Sequence, residues 1–203
     1  VAKKIDKISY DEMLEMASLG AKIMQPISLQ DAMINDIDIN VRSTFINSNG
    51  TKISNNQQLF NKNPITGIAF TKNEAKITLI GVMDRPGTAA IIFKPLADNQ
   101  INVDMVVQTS SPDGGQTDIT FTIIKDDIKN CIRILKENKK ISYKKIIHDD
   151  KVSKVSIVGA GMIATPGVTY RMFQALAKKK INIMVISTSE IKISVLINQK
   201  NIK

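Results

Sequence analysis

Two acidic residues, Asp84 and Asp104, stand where they could bind an amino acid. Asp84 lies in a turn before a predicted helix, whose first N–H groups have no partner within the helix and can bind a carboxylate. Asp104 lies in the strand after that helix, and either aspartate would accept hydrogen bonds from a ligand's ammonium group. The alternative interpretation is that Asp84 caps the helix and that Asp104 faces solvent.

The sequence around these aspartates is repeated later in the chain, but without the aspartates. Residues 86–103 return as residues 166–183 at a constant spacing of 80, and the preceding strand returns at a spacing of 78. Ala164 and Met184 stand at the positions equivalent to Asp84 and Asp104.

A crossed arrangement would give each pocket one aspartate. If the turn of each copy faces the strand of the other, Asp84 meets Asn182-Ile183, and the second turn meets Asn102-Val103 and Asp104. The two pockets are then unlike, which predicts two different ligands or occupancies.

Other kinds of site fit the sequence less well. The single Cys131 and single His148 exclude a disulfide framework and a Cys/His zinc site, and His148 is predicted in a solvated turn. The string Gly159-Ala-Gly161-Met-Ile-Ala164 resembles a dinucleotide-binding loop, but Pro166 places the helix start too late. No acidic residue follows about 20 positions later, where Lys178–Lys180 stand instead.

The elements that must position these residues follow from the hydrophobic pattern. In the first copy, Ile77–Ile80 predicts a strand, Pro86 the first turn of a helix, and 103–108 and 118–123 two further strands. A helix over 127–139 and a strand near 143–147 complete a βαββαβ order, which is ferredoxin-like. The second copy ends before its second helix. Ile65–Phe70 is predicted as a spare strand that completes its sheet, so that the first copy is inserted in the second.

Residues 1–60 have a different character. Ser9 and Glu12 form a predicted capping box ahead of an apolar stripe, a second short helix fits 28–35, and a strand fits 39–42. This pattern is typical of the end of a larger α/β domain; a poorly ordered lead segment is the alternative.

The chain of 203 residues carries 28 Lys and Arg against 19 Asp and Glu, a net charge of +9. With 4% aromatic residues and no Trp, it has few stacking platforms, so we do not predict nucleic-acid binding. The sequence contains no run of about 18 apolar residues, so no membrane span is predicted. The start has no apolar signal region and Val in place of an initiator Met, which predicts a cytoplasmic protein and a fragment.

Several strings resemble aspartokinases, and the resemblance runs essentially end to end. They are Ser9–Lys22, Val41–Ser43, Gly81–Gly87, Ile101–Gln108, Gly159–Met162 and Ile186–Val195. The family phosphorylates the side-chain carboxylate of aspartate with ATP and carries two regulatory ACT domains. The resemblance therefore implies an α+β fold with two ferredoxin-like ACT domains, one inserted in the other, preceded by the tail of an α/β amino-acid-kinase domain.

The resemblance also implies domain limits. These are 1–60 for the remnant of the kinase domain, 61–75 for a linker and a strand of the second ACT domain, 76–150 for the first ACT domain, and 151–203 for the second, without its last helix.

Two effector pockets are implied residue by residue. The first contains Asp84, Arg85, Pro86, Gly87, Thr88, Ala89, Gln108, Asn182 and Ile183. The second contains Asn102, Val103, Asp104, Met162, Thr165, Val168, Thr169, Ser189 and Glu190. Lys22 matches a lysine that lies near the nucleotide phosphates in the family; an ordinary surface lysine is the alternative interpretation.

The chain departs from the family in lacking the amino-terminal catalytic domain and in having Ile27 where Arg is usual. It is therefore predicted to be regulatory and not catalytic alone, with lysine and/or threonine as effectors. Its partner would be a second copy or a catalytic aspartokinase chain. No cofactor or metal is expected in this chain, whereas the complete enzyme uses ATP and Mg. The alternatives are a dimerisation module of a decayed gene, without ligand, and an RNA-binding ferredoxin-like domain.

Overall fold

The computed structural model describes residues 3–21, 23–55, 63–110 and 115–202. Its helices are α1 (Tyr10–Ser18), α2 (Pro26–Ile34), α3 (Thr88–Asp98), α4 (Ile128–Glu137) and α5 (Val168–Lys178). Its strands are β1 (Lys7–Ser9), β2 (Ile39–Val41), β3 (Thr51–Ser54), β4 (Gly67–Met83), β5 (Val103–Ser110), β6 (Gln116–Ile124), β7 (Lys145–Val158), β8 (Ile183–Thr188) and β9 (Lys192–Asn198).

The chain divides into two compact units. Unit 1 comprises Val1–Thr71, Val155–Lys180 and Thr188–Ser194, and unit 2 comprises Lys72–Lys154, Ile181–Ser187 and Val195–Lys203. Strands β4, β7 and β9 each contribute residues to both units.

Unit 1 contains a small sheet in the order β1-β3-β2, in which β1 is parallel and β2 antiparallel to β3. Helices α1 and α2 pack on it around a core that includes Tyr10, Met13, Leu29 and Ile53. The predicted capping box is confirmed, because the Ser9 hydroxyl accepts from the Glu12 N–H and the Glu12 side chain accepts from the Ser9 N–H.

Unit 2 holds most of a six-stranded sheet in the order β5-β6-β4-β7-β9-β8. Strands β4 and β6 pair antiparallel with Ile77 opposite Phe121, and β5 pairs antiparallel with β6. Helices α3 and α4 contribute Leu96 and Leu135 to the core, and the Phe93 ring meets the Phe121 ring edge-on at 5.3 Å between centroids. The order β4-α3-β5-β6-α4-β7 confirms the predicted βαββαβ sequence of elements.

Several local predictions differ from the structure. Pro86 and Pro166 were predicted in the first helical turn, which is wrong: α3 and α5 start two residues later, after Gly87 and Gly167 in the left-handed region. Glycine at the N-cap tolerates a positive φ that other residues rarely adopt, and this delays the helix start.

Strand predictions also needed correction. Ile65–Phe70 is not a separate strand, because its residues from Gly67 onward form the first part of the 17-residue β4. His148 is exposed, as predicted, but lies in β7 instead of a turn. Strands β1 and β3 were not predicted.

Candidate effector sites

The first predicted pocket is partly assembled around the start of α3. The Gln108 side-chain amide on β5 donates to Asp84 Oδ1 at 3.3 Å, and the Asp84 N–H donates to the Gly115 carbonyl at 3.1 Å. The Thr88 hydroxyl donates to the Met83 carbonyl at 2.9 Å and closes the turn. The N-cap of α3 is Gly87, without a side-chain cap, so the alternative that Asp84 caps this helix is wrong.

Two residues of that pocket, Asn182 and Ile183, are not brought to Asp84 within one chain. Arg85, Pro86 and Ala89 are exposed beside it. Asn182 and Ile183 stand at the start of β8, whereas Gln108 is on β5, and these strands form opposite edges of the six-stranded sheet. Five strand spacings of about 4.8 Å separate the two edges.

The second predicted pocket draws on the start of β5. Asn102 and Val103 line a shallow cleft of about 340 Å³ together with Phe93, Ala97 and Val106. Asp104 follows at a bulge between β5 and β6, where Met105 has φ +45° and a side chain buried against Val152 and Val185. Because of this bulge, the side chains around Asp104 do not follow the regular alternation between the two faces of the sheet.

The carboxylate of Asp104 already has a cationic partner. Its Oδ1 accepts from the Met105 N–H at 2.8 Å, and its Oδ2 accepts from the Lys154 ammonium group on β7. Asp104 therefore does not present a carboxylate to solvent alone, although its side chain remains 53% exposed.

Lys154 is buried between two carboxylates. Its side chain is 6% exposed, and its Nζ lies 2.7 Å from Oε1 of Glu74, which is itself 9% exposed. Burial of the ammonium group lowers the pKa of Lys154, but the charge of Glu74 and hydrogen bonds to Asp104 and Glu74 outweigh this effect and raise it. Sequence reasoning missed this cluster.

The remaining predicted effector residues lie in unit 1, on two loops. In the turn before α5, the Thr165 hydroxyl donates to the Gly161 carbonyl at 2.8 Å, and Met162 packs against a cluster that contains Val168. Val168 is 4% exposed, so its side chain serves the core of unit 1. Thr169 is exposed on the first turn of α5.

The second loop joins β8 to β9. The Ser189 N–H donates to the Lys192 carbonyl at 2.8 Å, and Ser189 and Glu190 are exposed. Both residues line a cleft of about 1180 Å³ in unit 1, whose other walls come from α1, α2 and the turn at Ala160 and Gly161.

Glu12 is a buried carboxylate that connects the turn at Ala160 to α1. Its Oε1 accepts from the Thr66 hydroxyl at 2.6 Å and from the Ala160 N–H at 2.8 Å, and its Oε2 accepts from the Ser9 N–H at 3.1 Å. The sequence pattern explained only the Ser9 contacts. Thr66 and Ala160 are too distant in sequence for a spacing argument to find.

Comparisons with known proteins place this arrangement in a family. A family model of the ACT domain matches residues 77–138 and 155–203. The crystal structure of the regulatory subunit of aspartate kinase from Thermus thermophilus, in ligand-free form, is 39% identical with a TM-score of 0.63. That match covers 68% of this chain and 91% of the subunit. This chain belongs to the ACT-domain family of aspartokinases.

Two longer relatives cover nearly all of this ACT chain. The aspartokinase of Corynebacterium glutamicum is 43% identical over 99% of this chain and 49% of its own length. The crystal structure of Clostridium acetobutylicum aspartate kinase is 28% identical, with a TM-score of 0.82, over 98% of this chain and 46% of that one. The chain thus spans about half the length of the curated relatives it matches. The predicted α+β fold with two ferredoxin-like ACT domains is confirmed.

Among residues 3–21, 23–55, 63–110 and 115–202, no cluster of three or more His, Cys, Asp or Glu could hold a metal ion. Burial raises the pKa of the Cys131 thiol to about 12, so that it is protonated near neutral pH. No helix in the described part of the chain is long and apolar enough to cross a membrane. Lys22, predicted near ATP, lies outside the described residues.

The Glu12 carboxylate is expected to make the stability of unit 1 depend on pH. Burial raises the pKa of Glu12, but hydrogen bonds from Thr66, Ala160 and Ser9 outweigh that effect and lower it. A depressed folded-state pKa stabilises the protein above the pKa of the unfolded chain, and this contribution is lost as the pH falls through the folded value. Glu12→Gln should therefore be less stable than wild type at about pH 7, and the difference should shrink towards about pH 3.

Urea unfolding of both proteins across that pH range measures this difference. Asp11→Asn, an exposed neighbour in the same helical turn, is the matched control and should track wild type throughout. A stability difference for Glu12→Gln that is independent of pH would contradict the assignment.

Proposed function

We propose that this chain is the amino-acid-binding regulatory region of a cytoplasmic aspartokinase, with lysine and/or threonine as effectors. The observation that carries the proposal is the exposed Asp84 carboxylate, held by Gln108 beside the glycine-capped start of α3. It offers an acceptor for an ammonium group next to helix N–H groups that suit a carboxylate. The start of α3 therefore offers both an acceptor for the α-ammonium group and donors for the α-carboxylate of an amino acid.

A second copy would complete this pocket. Asn182 and Ile183 are at the opposite sheet edge from Gln108, so their predicted meeting with Asp84 needs another molecule. Edge strands β5 and β8 carry backbone groups that can meet a partner. The ligand-free Thermus thermophilus structure is described as a regulatory subunit, and a second solved structure, 47% identical, as aspartokinase alpha and beta subunits. These descriptions support an aspartokinase regulatory region acting by assembly with other chains.

The catalytic activity would reside in such a partner or in a preceding segment. Phosphoryl transfer depends on positioning and charge neutralisation around ATP and Mg, for which the described residues offer no cluster of metal ligands. Unit 1 also exposes an apolar stripe on and before α2, formed by Ile23, Ile27 and Ile34, with Phe45 exposed nearby in the sequence. Single apolar residues on a surface are ordinary, but Ile27 and Ile34, seven residues apart on one face of α2, with Ile23 just before the helix, favour a covering partner. A catalytic aspartokinase chain is the partner that we propose.

Effector binding predicts a measurable stabilisation. An amino acid at about a hundredfold excess over its Kd adds about 2.7 kcal/mol, which raises Tm by roughly 5–10 °C for a chain of this size. Asp84→Ala should remove most of this shift for one amino acid, because the ammonium group loses its acceptor. Thermal unfolding with lysine or threonine at about millimolar concentration, measured against no ligand, tests the expectation.

Asp126→Ala is the matched control, since Asp126 is also exposed in unit 2 but lies outside the predicted pockets. It should keep the full shift. No shift of wild type with either amino acid would sink the ligand proposal and favour a dimerisation module without ligand.

A further inference from the structure

Helix α1 carries two glutamates, and each of them binds a different loop of unit 1. Glu12 accepts from the Ala160 N–H at 2.8 Å, and Glu15 pairs with Lys192 at 2.9 Å between the carboxylate oxygen and Nζ. Glu12 and Glu15 are three residues apart and therefore share one face of the helix. One face of α1 is thus tied to two loops that are distant in sequence.

Those two loops are the ones that carry the predicted effector residues of unit 1. Ala160 opens the turn that contains Met162 and Thr165, and the Thr165 hydroxyl closes this turn on the Gly161 carbonyl. Lys192 closes the other loop, since its carbonyl accepts from the Ser189 N–H. A movement of either loop therefore reaches a side chain of α1 through one or two hydrogen bonds.

The Glu12 side chain is buried and tightly held by its hydrogen bonds. It is 7% exposed, and both carboxylate oxygens are occupied, Oε1 by Thr66 and Ala160 and Oε2 by Ser9. If Ala160 moved away, a largely buried carboxylate would lose a donor, which costs free energy because the side chain is only 7% exposed to water that could replace the bond.

We propose that Glu12 and Glu15 are positioning residues that make α1 report the state of the effector loops. The inference rests on the proposed function, because it assigns ligand binding to these loops. It goes further in naming α1, within the segment that resembles the end of a kinase domain, as the element through which an effector signal would leave the ACT region. Ligand binding at the loops would then change the local stability of α1.

A double-mutant cycle without ligand tests the connection. Thr165→Val removes the hydrogen bond that closes the turn, and hydrogen exchange then measures the opening of α1 amides. In the wild-type background, exchange over Tyr10–Ser18 should accelerate by at least about threefold. In the Glu12→Gln background, Thr165→Val should add nothing further, because the contact that carries the effect is already weakened.

An equal acceleration of α1 by Thr165→Val in both backgrounds would overturn the proposal. Asp11→Asn serves as the control, because Asp11 is on the same helix but takes no part in the contacts of Glu12 and Glu15. In the Asp11→Asn background, Thr165→Val should accelerate exchange of α1 as much as it does in wild type. If Glu12→Gln does not fold, Lys192→Met takes its place: it breaks a partly exposed ion pair and leaves the buried carboxylate intact. In the Lys192→Met background, substitutions of Ser189 should no longer change the rate of hydrogen exchange of the α1 amides.

A ligand arm separates this inference from the proposed function. With the amino acid that raises Tm, wild-type α1 should become protected, whereas Glu12→Gln should keep the Tm shift and lose the protection. A Tm shift without protection of wild-type α1 would overturn the coupling and leave the effector proposal standing. If neither amino acid shifts Tm, the effector proposal falls, and the ligand-free cycle alone decides whether α1 is tied to the loops.

Discussion

Lys154→Met is expected to lower the free energy of unfolding by about 3–5 kcal/mol, the largest effect of any single substitution that we predict. Lys154 is 6% exposed and pairs with Glu74, which is 9% exposed. Removing the ammonium group leaves the Glu74 carboxylate largely buried and without its cationic partner. A lone buried charge is far more costly than a pair is beneficial, so the expected loss comes mainly from Glu74.

A second substitution should reverse most of this loss. In Glu74→Leu/Lys154→Met both charges are replaced by apolar side chains of similar size, and Asp104 remains 53% exposed and hydrated. Such replacements of buried pairs are often neutral or stabilising. Chemical denaturation of wild type, the single variant and the double variant measures the effect. A Lys154→Met loss below about 1 kcal/mol, or a double variant as unstable as the single one, would refute the argument.

This cluster also shows where sequence reasoning stops. The spacing of 78 between the two copies aligns Lys154 with Lys76, directly before the predicted strand Ile77–Ile80. Nothing in that comparison indicates that Glu74 and Asp104 flank Lys154, because their approach depends on the pairing of β4 and β7 and on the bulge at Met105. Long-range pairing of strands decides which polar groups meet, and a single sequence does not contain it.

Local signals were more informative than distant ones. The capping box of Ser9 and Glu12 was predicted because both partners lie within one helical turn, and the structure confirms it. The βαββαβ order followed from hydrophobic periodicity repeated in two copies. Strands β1 and β3 were not predicted. They are three and four residues long, a length at which alternation is hard to distinguish from chance, although the equally short β2 was predicted.

The candidate pockets could be predicted in part, because they combine local signals with contacts between residues distant in sequence. The equivalence of the two copies identified Asp84 as unusual, and the structure places Gln108 at its carboxylate. The meeting with Asn182-Ile183 stays a prediction, since one chain holds these residues at opposite edges of its sheet. A pocket that needs a second molecule is visible in a sequence only as residue types without partners.

Gly159→Ala is expected to destabilise unit 1 by about 3 kcal/mol, because a Cβ at this position would lie 2.2 Å from the Pro64 carbonyl oxygen. The φ of Gly159 is 173°, an extended conformation open to any residue, so the cost is steric. The obstacle is backbone, and it is fixed: the Thr66 N–H donates to the Val158 carbonyl at 2.8 Å, and the Gly159 N–H donates to the Ile191 carbonyl at 2.9 Å. Relief would require the turn to move, which would strain the Glu12 bond to Ala160.

Gly161→Ala provides a graded control for that prediction, since its Cβ would lie 2.9 Å from Pro64 Cα. We expect a loss of about 1–2 kcal/mol there, because a smaller displacement suffices. Hydrogen exchange under native conditions would localise both losses to unit 1 and leave the amides of α4 in unit 2 unchanged. A Gly159→Ala protein within about 0.5 kcal/mol of wild type would mean that the segment at Pro64 yields freely. The turn would then be too loose to pass a ligand signal to α1.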